Sequence, residues 1–305
     1  TFSLRVQLIT AVKENHLWSE SYEQEIKEVN DICNVQRQIA QEIAKALKAI
    51  VTPQEKELIG QKPTNNTLAY DYYLKGIQYY SELKYDLAID MYSKAIEHEP
   101  GFVLALLDRS DLYSEIYFTK GNEYNYSGDW KGFDSLARAD LERAHKISPD
   151  IPEVKFEEAE QLYMFERKYD KALELLSEGE TQITNNHSYN SLRSNVLRRQ
   201  GKWEESLKER QKNILIDPLY AANYIELGHT CRLMRKYPEA VEFYNKSLQL
   251  GLNPENKAGI FTTILLWKGD MEEAFKVSKL DINDIKISGV NYFYYGRQYD
   301  KLLLT

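Results

Sequence analysis

The side chains best suited to chemistry in this 305-residue chain lie in its carboxy-terminal half. Arg198, Arg199 and Arg232 each carry a planar guanidinium group that can hold a carboxylate through paired hydrogen bonds. Asn195 and His229 add polar contacts beside them. Because the chain as a whole is acidic, with a net charge of −8, this local gathering of arginines predicts a surface that binds a peptide or protein, in particular an acidic one.

Aromatic and small polar side chains further along the chain extend this surface, since rigid rings supply contact area in binding sites. The predicted peptide-binding residues are Asn195, Arg198, Arg199, His229, Arg232, Thr263, Trp267, Asn291 and Tyr294. A second interpretation stays open at this stage: the arginines only solvate the surface, or they pair with glutamates close by.

Motifs for catalysis or metal binding are missing from the sequence. The five histidines form no His-x-x-x-His pair, and there is neither a Gly-rich phosphate loop nor a Gly-x-Ser-x-Gly elbow. Paired carboxylates such as Glu157-Glu158 and Glu204-Glu205 stand at helix starts and on outer faces, where a solvated role is expected. We therefore expect a protein that is not an enzyme and that has no cofactor and no metal.

Composition further limits the possible ligands and the cellular location of the protein. A net charge of −8 argues against nonspecific nucleic-acid binding, which needs a positive surface. The two cysteines, Cys33 and Cys231, are too few for a disulfide scaffold and are expected to be small buried residues. No run of about 18 apolar residues occurs, so we expect no membrane span. These features favour a cytoplasmic protein.

A unit of about 34 residues recurs along most of the chain and must position the side chains named above. In residues 221–253 the small residues Gly228, Ala240 and Ser247 occupy the eighth, twentieth and twenty-seventh positions, and Tyr244 occupies the twenty-fourth. Two helices can pack closely only where such small residues remove bulk. The pattern resembles the tetratricopeptide repeat. This resemblance implies a mostly α-helical fold, a right-handed superhelix of antiparallel helix pairs with a concave binding surface.

Six such units and part of a seventh are predicted in a repeat domain over residues 69–305. Their bounds are 69–100, 103–149, 153–184, 187–218, 221–253 and 255–286, and the partial unit begins near residue 283. The second unit is too long, and its surplus forms an insertion near residues 118–133 that is either functional or a neutral helix elongation. Small residues expected to be buried at helix contacts are Ala88, Ala172, Gly228, Ala240 and Ala274.

Residues 1–62 show a different pattern. Leu4, Val6 and Leu8 alternate with polar residues and predict one strand, residues 16–22 predict a second, and residues 29–50 predict an amphipathic helix. This segment resembles the carboxy-terminal part of a TolB-like, flagellar-assembly-related domain. The residues that carry the resemblance are Val6-Gln7-Leu8-Ile9, His16-Leu17-Trp18-Ser19-Glu20-Ser21-Tyr22 and Gln36-Arg37-Gln38-Ile39-Ala40. We expect a truncated α/β domain whose two strands have uncovered edges.

The two resemblances together imply a protein–protein interaction scaffold or sensor module of a bacterial signalling or transcription regulator. Two alternatives remain open. The chain is the regulatory region of an enzyme, a cyclase or kinase, whose catalytic domain lies upstream. Or it is a self-association module, a homodimer formed through its strands and the apolar residues 302–304.

Overall fold

The computed structural model describes residues 2–9, 16–25, 29–47, 63–121, 126, 128–180, 186–251 and 255–279. These residues divide into two compact units, Thr1–Arg167 and Lys168–Thr305. Nearly all the described elements are helices, and they form antiparallel pairs preceded by a small two-stranded sheet. The predicted fold class is therefore confirmed. The predicted boundary between residues 1–62 and 69–305 stays a prediction.

The first unit begins with a β-hairpin. Strands β1 (Phe2–Ile9) and β2 (His16–Gln24) are antiparallel, with Leu8 opposite Trp18. Within the described residues each strand pairs only with the other, so both outer edges lack a strand partner, as predicted from the sequence. Helix α1 (Val29–Ala46) packs against β2, and the predicted continuation of this helix to residue 50 lies outside the described residues.

Two complete helix pairs and one further first helix make up the rest of this unit. They are α2 (Thr67–Ser81), α3 (Tyr85–His98), α4 (Val103–Thr119), α5 (Phe133–Ile147) and α6 (Pro152–Gln161). The Asn66 side chain caps α2 by accepting hydrogen bonds from two backbone N–H groups, and Pro152 starts α6, where its missing N–H has no consequence. The chain leaves α6 through a π-helical turn, Leu162–Glu166.

The second unit contains one second helix followed by three helix pairs. These helices are α7 (Tyr169–Glu180), α8 (His187–Arg199), α9 (Trp203–Ile216), α10 (Ala221–Leu233), α11 (Tyr237–Gln249), α12 (Glu255–Lys268) and α13 (Met271–Ser278). Side chains of Asn186 and Asp270 cap α8 and α13. The partial seventh repeat predicted from residue 283 lies outside the described residues.

Small residues stand where the helices approach most closely, as the repeat pattern predicted. The five predicted contact residues are all buried, and Cys231 is buried as well. A Cβ atom added to Gly228 would lie 2.7 Å from the Tyr244 ring, and one added to Gly259 would lie equally close to it. The ring of Tyr244 on α11 therefore packs directly on the backbones of α10 and α12.

The insertion near residues 118–133 is partly an extension of α4 and partly a packed turn. Tyr117 lies 6.0 Å from the Trp130 ring, and Tyr126 lies 5.4 Å from Phe133. These aromatic contacts attach the described part of the insertion to the apolar core of the first unit. Residues 122–125 and 127 lie outside the described residues.

The amino-terminal helix shares that same core. Val29 is fully buried together with Ala69 and Tyr70 of the first repeat. No described helix is both long and apolar enough to cross a lipid bilayer.

Candidate functional surfaces on the first helices of the repeats

Helices α8 and α10 bring the central predicted residues together around one carboxylate. Glu226 on α10 lies 4.0 Å from the Arg198 guanidinium on α8 and 3.9 Å from Nδ1 of His229. Both distances are long for direct ion pairs, and all three side chains are partly exposed. The interpretation in which the arginines pair with a nearby glutamate is thus partly realised at Arg198.

A further arginine, which the sequence did not single out, lies beneath this surface. Arg210 on α9 is buried and donates hydrogen bonds to Asn195 Oδ1 at 2.9 Å and to Ser191 Oγ at 2.9 Å. Its guanidinium is 3.7 Å from Glu226. The Asn195 side chain is therefore already hydrogen-bonded to Arg210. The positive charge of Arg210 adds to that of Arg198.

His229 acts as a neutral polar group in this setting. Its ring packs edge-on against Tyr244, with ring centres 5.6 Å apart. Burial is the main cause that lowers the pKa of His229; Glu226 opposes this shift, and Arg232 adds to it. The side chain is therefore uncharged at neutral pH and offers one donor and one acceptor.

The other predicted residues fall into three groups. Arg199 and Trp267 are exposed, and Lys268 Nζ lies 4.9 Å above the Trp267 ring, while Arg232 is half-buried. Thr263 is fully buried and donates a hydrogen bond to the Gly259 carbonyl at 2.6 Å, so its side chain belongs to the core instead of an open surface. The last two predicted residues, Asn291 and Tyr294, lie outside the described residues.

A second polar surface occurs in the first unit, and it is acidic. Asp111 on α4 and Glu157 and Glu160 on α6 each place a carboxylate oxygen within 4.8 Å of the other two. Glu157 is only 3% exposed; it accepts hydrogen bonds from Ser110 Oγ at 2.6 Å and from Gln161 Nε2 at 3.1 Å. The expectation that Glu157 is solvated at a helix start is therefore wrong.

The environment of these carboxyls disfavours their charged forms. Burial, above all, raises the pKa of Glu157 to about 7 and that of Glu160 to about 8, and the Glu157 charge adds to the shift at Glu160. The pKa of Asp111 is likewise raised by burial and by the neighbouring Glu160. Burial also raises the pKa of Asp108 to about 6, although a hydrogen bond from Tyr73 opposes that shift. The cluster therefore retains protons near neutral pH.

Tyrosines of α2 border the acidic cluster. The Tyr80 hydroxyl lies 3.5 Å from Glu115 Oε2, and burial followed by the Glu115 charge raises the Tyr80 pKa. On α2 itself, Tyr80 and Ile77 are exposed, whereas Tyr70 and Tyr73 are buried.

The acidic cluster lies at helix positions equivalent to those of the arginine surface, so the repeat spacing is the sequence signal for it. Asn195 and His229 are the ninth residues of α8 and α10. Asp111 and Glu160 are likewise the ninth residues of α4 and α6. The predicted start of the third repeat at residue 153 places Glu160 at the eighth position, one residue away from the position that it holds on α6.

Comparison with known proteins supports the fold. No family model matches the chain, and no curated protein matches it. The solved structure of PilW, a type IV pilus biogenesis factor, aligns with a TM-score of 0.56 at 14% identity over 78% of this chain and 99% of that chain. A thermophilic tetratricopeptide-repeat protein of Thermus thermophilus aligns with a TM-score of 0.55 at 14% identity over 65% of this chain and 99% of that chain.

The pilF protein of Pseudomonas aeruginosa aligns with a TM-score of 0.52 at 13% identity, over 77% of this chain and 97% of that chain. These similarities show that the chain has the tetratricopeptide-repeat fold, which is typical of protein–protein interaction scaffolds. They give no support to the TolB-like resemblance of residues 1–62, which stays a prediction.

Proposed function

We propose that this protein is an interaction scaffold that binds an extended acidic segment of a partner protein across the first helices α8 and α10. The observation that carries the proposal is the alignment of equivalent side chains on the two helices. The ninth residues are Asn195 and His229, and the twelfth are Arg198 and Arg232. A peptide segment that crosses both helices therefore contacts the side chains of the ninth and twelfth positions on each of them.

The chemistry of this surface favours carboxylate ligands. Arg198 lies 4.0 Å from Glu226 and donates a long hydrogen bond of 3.4 Å to Asn195 Oδ1, so a partner carboxylate can approach the guanidinium more closely than either residue does. A hydrogen bond to a charged group contributes about 1.5–3 kcal/mol where it is sheltered and about 1 kcal/mol or less in open solvent. The buried Arg210 adds positive potential beneath the surface.

A labelled decaglutamate peptide tests the proposal by fluorescence anisotropy. We expect it to bind the wild-type chain, and we expect the combined changes Arg198→Glu, Arg199→Glu and Arg232→Glu to abolish binding while the helical circular-dichroism signal persists. The matched control reverses the exposed Lys202, Lys208 and Lys212 to Glu, which produces the same change in net charge elsewhere on the chain.

The two triple variants distinguish binding at a local site from a general effect of the net charge of the protein. Equal loss of binding in both variants, or tighter binding of a decalysine peptide than of decaglutamate by the wild-type chain, would contradict the proposal.

For the wider setting we propose a bacterial signalling or transcription regulator. The support is the resemblance of residues 1–62 to the end of a TolB-like domain. The sequence of the complete gene tests this setting. An effector domain encoded next to this segment would support it, and a gene that encodes no effector domain would contradict it.

A further inference from the structure

We propose that Asp111, Glu157 and Glu160 form a binding site for a hard divalent cation, with Ca²⁺ as the first candidate. One carboxylate oxygen of each residue lies within 4.8 Å of the other two. Oxygens that share one calcium ion at about 2.3–2.6 Å from the metal stand at comparable mutual distances. Carboxylate oxygens are the donors that Ca²⁺, Mg²⁺ and Mn²⁺ prefer. The site is independent of the arginine surface, because it belongs to the first unit.

The electrostatic environment of the cluster calls for a positive charge. The strongest charged influences on the three carboxyls among the described residues come from each other and from two further carboxylates, Asp108 and Glu115. Glu157 itself is almost fully buried. Without a counterion these carboxyls keep protons, because burial disfavours several like charges close together, and a bound divalent cation would supply the positive charge that lets them ionise.

A second, independent observation comes from Ser114. This residue is fully buried, and its hydroxyl has no hydrogen-bond partner among the described residues. Ser114 follows Asp111 by three residues and Ser110 by four, so all three side chains lie on neighbouring positions of one side of α4. The Ser110 hydroxyl lies within hydrogen-bond distance of the Ala137 carbonyl on α5 and of Glu157 on α6, so this side of α4 faces both helices. Ser114 therefore lies one helical turn from Asp111, on the side of α4 that contributes to the cluster.

The buried oxygens that no donor reaches identify the kind of ligand. Neither Oε2 of Glu160 nor the Ser114 hydroxyl receives a hydrogen bond from a donor in the described part of the chain, and the Glu160 carboxyl can hydrogen-bond to that of Asp111 only where one of the two keeps its proton. Buried polar atoms in native proteins nearly always have a partner. A carboxylate oxygen and a hydroxyl oxygen both present lone pairs, and a cation accepts lone pairs from both.

The backbone next to the cluster is also specialised. Directly after Gln161 the chain leaves α-helical geometry and forms the π-helical turn Leu162–Glu166. Such turns are rare and occur frequently at functional sites. Here the turn begins two residues after Glu160, at the end of the helix that carries two of the three carboxylates.

Calcium titration of the full chain tests the site. The protein is stripped with EDTA and dialysed, and its thermal unfolding midpoint is measured against CaCl₂ at an ionic strength held constant with KCl. We expect the midpoint to rise with CaCl₂ in the wild-type chain. Calorimetric titration of the folded protein with CaCl₂ should show saturable binding that Asp111→Asn and Glu160→Gln each weaken about tenfold or more. The exposed Asp90→Asn serves as the control and should behave as the wild type does.

Two outcomes would overturn the proposal. One is an equal rise of the midpoint in wild type, Asp111→Asn and Asp90→Asn, because this would reflect nonspecific binding. The other is the absence of both a calcium effect on the midpoint and calorimetric binding in the wild type. That result would show that the three carboxyls share protons with each other and bind no calcium.

Discussion

The two units of this chain use equivalent helix positions for opposite chemistry. At the ninth position, α4 and α6 carry Asp111 and Glu160, whereas α8 and α10 carry Asn195 and His229. At the twelfth position, α4 carries a serine where α8 and α10 both carry an arginine. The repeat thus determines the position of a side chain on the helix, whereas the type of residue at that position differs between the two units and determines which ligands it favours.

The interiors of the units differ as well. In the first unit the helices share one apolar cluster, and the buried polar groups include the carboxylates Asp140 and Glu157. In the second unit α8, α9 and α10 also pack through apolar residues, but the buried polar groups where they meet include several amides. Asn190 donates to the Asn213 side chain at 2.9 Å, Asn213 donates to Ser191 Oγ at 2.9 Å, and Asn223 donates to the Asn213 backbone carbonyl at 3.2 Å. Directional hydrogen bonds specify one alignment of the three helices, which apolar packing alone does less strictly.

The largest expected effect comes from filling a narrow helix contact of the second unit. Gly228→Leu places atoms where the buried Tyr244 ring now lies, and we expect a loss of about 3 kcal/mol in the free energy of unfolding, at the upper end for overpacked cores. Urea denaturation measures it. Gly132→Leu is the control, since a Cβ at Gly132 has nothing within 4 Å. Equal stability of the two variants would show that the close approach of α10 and α11 is not required.

A smaller loss should follow from removal of the central amide in the polar interior. Asn213→Ala removes the acceptor of the buried Asn190 amide and one of the two hydrogen bonds that Ser191 Oγ accepts, and unsatisfied buried groups typically cost about 1–3 kcal/mol. We expect about 2 kcal/mol by urea denaturation. The exposed Asn245→Ala should change the free energy by less than about 0.5 kcal/mol. If Asn213→Ala behaved like this control, the amides would not differ in importance from ordinary surface groups.

The acidic cluster should make stability depend on pH. The pKa values of Glu157 and Glu160 are raised to about 7 and about 8, so the folded state binds more protons than the unfolded state. Their favourable contribution is therefore complete at low pH and is lost as pH rises from about 4 through the folded-state values. In EDTA we expect the free energy of unfolding to fall by up to about 1.4 kcal/mol per pH unit for each titrating proton.

The variant Glu157→Gln identifies the source of that dependence. It removes one titrating group and should flatten the decline of the thermal unfolding midpoint between about pH 6 and 8. Asp90→Asn, an exposed carboxylate, should leave the profile as it is. A wild-type midpoint that rises over this pH range would contradict the assignment.

The smallest effect on stability is expected at the arginine surface. Glu226→Gln removes a carboxylate whose contacts are 3.7–4.0 Å long, and exposed pairs contribute about 1 kcal/mol or less. The same change should strengthen decaglutamate binding severalfold, because Arg198 and Arg210 lose a competing anion. Weaker binding in the anisotropy assay would mean that Glu226 positions the arginines instead of competing for them.

The helix pairs were predictable because their cause is local in the sequence. Gly228 and Ala240 recur at fixed spacing, and close packing permits only small residues there. The arginines of α8 and α10 followed from the same spacing. The burial of Glu157 could not be predicted from this spacing, because it depends on Ser110, which is 47 residues away in the sequence. Arg210 was missed for a similar reason: its partners lie on α8, the preceding helix.

The π-helical turn explains the remaining error of register. The third repeat contains an extra residue within Leu162–Glu166, which a fixed repeat length cannot represent. The predicted start of this repeat was therefore placed one residue late, and Glu160 was assigned to the eighth position.

The position of Tyr244 has a consequence for how the fifth and sixth repeats come apart. Its ring packs on the glycine backbones of both α10 and α12, so neither helix can detach without exposing the same aromatic surface. In a linear array of repeats, strong coupling between neighbours makes them lose structure together instead of one after the other. Amide protons of α10 and α12 should therefore exchange with solvent through one shared opening event.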